Sequence, residues 1–552
     1  MNLLLLLGWS VPLLLIPLML VTRAVFRQGR FLLLLAPVPA LMAVLLLPVD
    51  STLSLPWLLL GAELQLDPIR RIFLALTSIL WFFAGLSTLL TEQGDRHANR
   101  FRIFLLLCMA GNIGLIVSAD MISFYVGFAT MGLASYGLIL HAGTAKAKAN
   151  YAAKVYLVMT LMAEFLLLVA FLLIFQRTGV LAPSAEQLVG SGDLELALLF
   201  VAFAIKAGLF GFHIWLPLAH PAAPPAASAV LSGAMIKTAL LGWIAFMPLG
   251  AEALPGWGWL FIGLGSVGAV CAIAIGLLQS EPKVMLAYSS ISKMNLMIAV
   301  LGVALVEPRV AKTLILAIVA YAFFHGLNKG ALFIGVGVIK RYSGSAMLLL
   351  LGIPAAILSG IPFGAGAAAK SMLSDHLAVE TTAAITVLGL LTLLAFLTPL
   401  LMARFLYRMA SLRGTESLDW RVVPWACLVV LAATLPLIGF GQPSAGSVWL
   451  WGASVLASVT VILYRPRRLR RLIGAIPPAD LLALLSWAGR RPRLVAAPVA
   501  GWQKTAAALR QQLRSRLARF KRLAAQQHRG GDLSLSVSFP LLLLVLTASL
   551  LI

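Results

Sequence analysis

Long apolar runs, each closed by a short polar or glycine–proline interval, follow one another along almost the whole chain. Runs of about 18 residues or more are what a helix needs to cross the hydrocarbon core of a bilayer. They predict spans at 2–21, 31–49, 71–91, 102–118, 121–141, 153–175, 195–217, 226–248, 257–279, 284–304, 312–339, 347–375, 382–409, 423–440, 446–464 and 534–552. The predicted fold class is therefore an all-α polytopic membrane protein of about 16 transmembrane helices. The first run lacks a basic leader and is followed by Arg23, Arg27 and Arg30, which reads as a retained span and not a cleaved signal.

The polar intervals set an orientation. With the N-terminus outside, loops 22–30, 92–102, 142–154, 280–283, 340–341 and 404–421 face the cytoplasm and hold 16 Lys and Arg. The opposite loops 50–71, 176–195 and 305–312 hold five. A prokaryotic cytoplasmic membrane with both termini outside is the expected setting.

Composition agrees with this class and adds one feature. The 552 residues are 61% hydrophobic and 11% charged, yet the net charge is +23. In a soluble protein that excess would point to nucleic acid. Here residues 465–529 alone carry 16 Lys and Arg against one acid, Asp480. Within them Trp502, Ala506, Leu509, Leu513, Leu517, Phe520 and Ala524 recur at helical spacing, with basic residues on the other faces. Such a helix lies along a membrane surface, because arginine at mid-membrane costs about 2.5–3.5 kcal/mol each. The expected partners are membrane lipid and other membrane subunits along 465–552, not nucleic acid; a disordered basic linker is the alternative. Cys108, Cys271 and Cys427 lie singly in apolar runs, so no metal or disulfide spacing exists. No cofactor motif is present.

The candidate chemistry is charge in the wrong solvent. Glu164, Lys206, His213, Lys237, Lys293, His325, Lys329 and Lys370 all fall inside apolar runs. Intramembrane charges usually face a polar interior or an ion path. Gly208, Gly211 and Pro217 follow Lys206, and Gly360, Pro362, Gly364 and Gly366 precede Lys370. These breakers predict interrupted seventh and twelfth spans, each the fourth of a five-span block, 102–248 and 257–409. Odd-numbered blocks make inverted repeats, and breaks at matching places point to an ion path between them. The remaining organisation is 1–101 as N-terminal helices, 410–464 as two further spans, 465–530 as a lateral basic segment and 531–552 as a C-terminal anchor. Lysine suits proton transfer, since desolvation favours its neutral form and a nearby carboxylate its charged form. Sodium is better served by several oxygen ligands, and carboxylates are scarce in these spans.

Four stretches together are similar to one family. "AFAIKAGLFGFHIWLPLAHPAAPPAASAVLSGAMIKTALLGW", "KVMLAYSSISKMN", "FFHGLNKGALFIGVG" and "GIPFGAGAAAKSML" resemble the antiporter-like, proton-translocating subunits shared by respiratory complex I, formate hydrogenlyase-type hydrogenases and Mrp-type cation/proton antiporters. The resemblance covers roughly residues 60–410. It implies that Lys206 is the central lysine of a broken seventh helix, Lys237 the lysine of the eighth, His325 and Lys329 connecting relay positions, and Lys370 the terminal exchange residue. It also implies a lateral helix and anchor bracing neighbouring subunits, and a chain that is not catalytic by itself but serves an NADH dehydrogenase-like or hydrogenase-like complex.

The departures matter. Where the family carries a fifth-helix glutamate, "FYVGFATMG" has Ala129; Leu218 replaces an aspartate; Lys293 stands where a histidine is usual. Glu164, about as deep in its span as Lys206, is the candidate replacement counter-charge, with a neutral hydrogen-bonded acid as the alternative. Three readings follow: a proton-translocating subunit, a structural or coupling subunit with a degenerate channel, and a cation or other ion transporter with non-redox partners.

Overall fold

The computed structural model describes residues 2–21, 31–91, 97–141, 146–342, 344–412, 414–439 and 448–464. The lateral segment expected at 465–530 and the anchor expected at 531–552 lie outside the described residues.

The chain opens with α1 (Leu3–Val21), the single turn α2 (Leu32–Leu35) and α3 (Val38–Leu46). It then departs from the all-α expectation. β1 (Ser51–Leu55) and β2 (Ala62–Leu66) form an antiparallel hairpin with Leu53 opposite Leu64. The two-residue period is plain once sought: Ala62, Leu64 and Leu66 are buried while Glu63 is exposed. A hydropathy window tuned to helices averages over it, which is why 50–71 read as a loop. Asp120 staples the hairpin to the helices. One carboxylate oxygen accepts from Glu63 N–H at 3.0 Å, and the other caps the next helix by accepting from Ser123 N–H at 2.7 Å.

A series of long helices follows: α4 (Pro68–Thr91), α5 (Ala98–Val117), α6 (Met121–Leu140) and α7 (Lys146–Thr178). Next come α8 (Asp193–Ala207), α9 (Trp215–Ala222), α10 (Pro225–Gly233), a 3₁₀ turn Met235–Lys237 and α11 (Thr238–Phe246). The second half contains α12 (Pro255–Leu278), α13 (Pro282–Val306), α14 (Pro308–Arg341), α15 (Ser345–Ser359), α16 (Ala365–His376) and α17 (Thr382–Ala410). α18 (Val423–Gly439) and α19 (Val448–Tyr464) complete the described helices. Among the described residues, ten helical segments are long and apolar enough to span a membrane, so the chain is a multi-pass membrane protein.

Small residues let the backbones touch. A Cβ on Gly111 of α5 would lie 2.3 Å from Met131 N on α6, and one on Gly127 of α6 would lie 2.5 Å from Leu115 N on α5. Burial then sorts helices by position. The apolar stretch of α13 is 94% buried, whereas those of α7, α12 and α17 are 44% buried. α13 is thus a central helix, and the other three keep an exposed side.

Hydrogen bonds among loops and helix ends fall into two sets. Ala119 N–H donates to Glu63 O, Met121 N–H to Leu181 O, and Gly190 N–H to Glu252 Oε2. At the other set, Gly414 N–H donates to Ile339 O, Arg404 to Gln279 O, and Lys340 pairs with Glu281. Each set joins loops and helix ends that the alternating spans place on one side.

Candidate functional site: a buried line of charged side chains

The first break is built around glycine. α8 ends at Ala207, and Gly208 adopts the left-handed conformation with φ 69°, which costs glycine little. Its N–H and that of Leu209 turn back onto the carbonyls of Ala204 and Ile205. Two side chains repair what the break exposes. Trp215 Nε1–H at the start of α9 donates to Ile205 O at 2.8 Å. Asn295, from the central α13, donates to Gly208 O at 3.3 Å and accepts from Phe210 N–H at 3.2 Å. Irregular backbone at membrane depth is thereby satisfied inside protein. The pairing of Asn295 with the break is visible only in three dimensions.

Lys206 occupies the last turn of α8 and is buried. Its Nζ lies 3.5 Å from Tyr156 Oη on α7 and 5.0 Å from the centre of the Phe128 ring on α6. His213 lies within the break, where its Nδ1 accepts from Gly211 N–H at 3.2 Å and its ring stacks on Phe210.

Beyond it runs a line of polar contacts. Lys237, in the 3₁₀ turn between α10 and α11, donates to Ser232 O. Ser232 Oγ meets Ser290 Oγ of α13 at 2.7 Å, and Ser290 Oγ donates to Leu286 O at 3.0 Å. Lys329 of α14 donates to the same Leu286 O at 2.9 Å. Every side chain in this path is fully enclosed, with Lys237, Ser290 and Lys329 all at 0% exposure. One turn from Lys329 on α14, His325 is equally buried, and neither ring nitrogen has a hydrogen-bond partner among the described residues. His220 on α9 shares that condition and stacks on Phe333 of α14 at 4.4 Å.

Lys293 reaches across from α13 to Thr398 Oγ1 of α17 at 2.6 Å. Lys370 follows the second break. α15 ends at Ser359, Gly360 is left-handed at φ 81°, and Lys370 on α16 donates back to Ser359 O at 3.1 Å. Thus the predicted residues from Lys206 to Lys370 all lie in the protein interior. Lys237 and Lys329 are connected through the main-chain carbonyls of Ser232 and Leu286 and the paired hydroxyls of Ser232 and Ser290, while Lys206, Lys293 and Lys370 each hold separate partners.

One further buried lysine falls where the sequence predicts the loop 280–283. Lys283 begins α13, buried, donating to Ala223 O at 2.6 Å where α9 ends. Its ammonium sits at the carbonyl end of that short helix, where cations are stabilised. A helix starting at Pro282 in place of a loop ending at 283 accounts for the difference.

Three acids are buried among the described residues: Asp120, Glu164 and Glu195. Asp120 is the cap described above, and Glu195 pairs with Arg177 at 3.1 Å. Glu164, on α7, keeps Oε1 without a hydrogen-bond partner. It points into the protein at 5% exposure, while the adjacent Phe165 points out at 65%.

Comparison with known proteins agrees with this architecture. The family model described as NADH:quinone oxidoreductase/Mrp antiporter, TM, matches residues 118–398. Hydrogenase-4 component B of Escherichia coli strain K12 is 29% identical over 290 residues, covering 50% of this chain and 43% of that protein. The chain therefore spans less than half the length of that relative. Among solved structures, the Mrp complex of Dietzia sp. DQ12-45-1b contains a chain similar at a TM-score of 0.72 and 23% identity, covering 92% of this chain and 62% of that one. The membrane-bound sulfane sulfur reductase, an archaeal respiratory membrane complex, contains one similar at 0.68 and 19%, covering 92% and 99%. These structural likenesses establish the fold.

Proposed function

The chain belongs to the NADH:quinone oxidoreductase/Mrp antiporter transmembrane family, and from that premise we propose that it is a proton-translocating, antiporter-like subunit of a larger membrane complex. The observation that carries this reading is the enclosed chain Lys237–Ser232–Ser290–Leu286–Lys329. Burying six lysines costs stability, and what could offset that cost is a task that an apolar residue cannot do. A group that loads a proton in a polar pocket and releases it when neighbouring charge moves is such a use.

In this reading Lys206 begins the relay at the first break. Lys237, His325 and Lys329 carry protons along the centre with water completing the steps, Lys293 lies beside that path, and Lys370 exchanges with one side. The blocks 102–248 and 257–409 are inverted repeats, with the two broken helices at equivalent places. Protons suit this interior better than sodium, since a sodium site needs clustered oxygen ligands and two of the three buried acids are already engaged. The driving chemistry belongs to partner subunits, which residues 465–552 brace along the cytoplasmic face; both termini of this chain face outside. Deleting 465–552 is expected to reduce co-purification of partners more than it unfolds the core, and full recovery of partners would remove the bracing role.

The test of transport is proton uptake by the purified complex in sealed vesicles, comparing the natural sequence with Lys237→Ala and Lys329→Ala. Loss of uptake in assembled complexes is expected. Unchanged uptake in both would overturn the relay.

A further inference from the structure

Glu164 is the buried acid that no structural role uses, and its surroundings are built for it. On α7, Tyr156, Thr160 and Glu164 follow at four-residue steps, so they form one face, and all three are buried. That face meets α6 at Gly132. A Cβ on Gly132 would lie 2.4 Å from Glu164 Oε1 and 2.7 Å from Thr160 Cγ2. Glycine leaves a notch there, and the carboxylate fills it. The same Gly132 offers its carbonyl to Tyr156, whose hydroxyl donates at 3.1 Å. That hydroxyl in turn stands 3.5 Å from Lys206 Nζ.

We propose that Glu164 is the counter-charge of Lys206, seated in the notch at Gly132, the residue whose carbonyl holds the Tyr156 hydroxyl against the lysine. The proposal rests on the proton-relay reading above and assigns the controlling anion to α7. Tyr156 is a positioning residue. It accepts from the ammonium while its own proton is held by the Gly132 carbonyl, so its oxygen lone pairs stay turned toward Lys206. No proton passes through Tyr156 in this scheme; Glu164 acts by charge. The half-buried Ala129 lies three residues before Gly132 on α6, one turn away, so a carboxylate placed there would approach the same junction.

The experiment uses the assembled complex in vesicles and reads proton uptake. Glu164→Gln keeps the shape and removes the charge, and is expected to slow uptake by roughly tenfold or more, the scale of one lost charge interaction. Adding Ala129→Glu to Glu164→Gln is expected to restore uptake to within roughly threefold of the natural rate. A packing role for Glu164 would not respond to a carboxylate on another helix. Tyr156→Phe, with Glu164 intact, is expected to slow uptake several-fold without loss of complex. Should Glu164→Gln fail to assemble, the Tyr156→Phe rate decides, and a natural rate there refutes the junction. Natural uptake in assembled Glu164→Gln, or no rescue by Ala129→Glu, overturns the counter-charge. Lys206→Ala run in parallel separates the two levels. If Lys206→Ala stops uptake while Glu164→Gln does not, this inference alone falls; if Lys206→Ala is also natural, the relay reading falls with it.

Discussion

The two helix breaks use one backbone device and place their lysines on opposite sides of it. At Gly208 and at Gly360 a left-handed glycine ends a helix, and the next residue's N–H returns to a carbonyl five residues back, Leu209 to Ala204 and Ile361 to Ala356. Lys206 precedes its glycine by two residues, in the last turn of α8; Lys370 follows its glycine by ten, within α16. Lys370 reaches back to the carbonyl terminus of the first half-helix through Ser359 O, where the negative end of a helix dipole stabilises a cation. Lys206 belongs to the last turn of its own half-helix, yet its ammonium meets Tyr156 Oη and the Phe128 ring on neighbouring helices. What the two sites share is therefore the backbone turn, and not the lysine's position or its partners. They differ in support: Asn295 and Trp215 repair the first break, while Lys370 itself occupies the freed carbonyl of the second.

This difference can be broken deliberately. The largest effects belong to the charges. Lys370→Ala and Lys206→Ala are each expected to reduce proton uptake by about 100-fold or more. Lys370→Ala should also lower the melting temperature, since it strips Ser359 O of its partner; Lys206→Ala should not. Gly360→Ala comes next. It strains a φ of 81° and places a Cβ 2.3 Å from Lys370 Nζ, so it should both destabilise by about 1–2 kcal/mol and displace the lysine, lowering uptake. Gly208→Ala strains a φ of 69° by a similar amount, but its nearest neighbour is Leu216 Cδ1 at 3.3 Å. It should lower stability with a smaller effect on uptake. Asn295→Ala leaves Phe210 N–H and Gly208 O without their partner, a loss of about 1–3 kcal/mol, and should shift melting while transport persists. Equal transport defects in Gly360→Ala and Gly208→Ala would erase the distinction between the breaks.

Much of this was legible before any coordinates. A lysine beside glycines and prolines in an apolar run has few explanations in lipid, and Lys206 and Lys370 lie at their breaks as the sequence predicts. Spans whose apolar runs exceed bilayer thickness were equally plain, because helix length there is set by the membrane. Three features were not legible. The hairpin at 51–66 alternates with a period of two, below the resolution of a helix-length window. Lys283 sits at a span end, where charge is cheap and so carries no signal; only its bond to Ala223 O marks it. Asn295 and Gly132 act through neighbours 87 and 32 residues distant in sequence, and no local pattern encodes such contacts. Glu164 was visible as a charge in the wrong place, whereas the notch that receives it was not.

The central claim is that the buried lysines move protons. The most direct measurement is proton uptake by the assembled complex in sealed vesicles carrying Lys206→Ala, with partner recovery and melting temperature recorded on the same preparation. The account predicts uptake at background with partners and melting unchanged. Uptake at the natural rate in that same intact complex would contradict it.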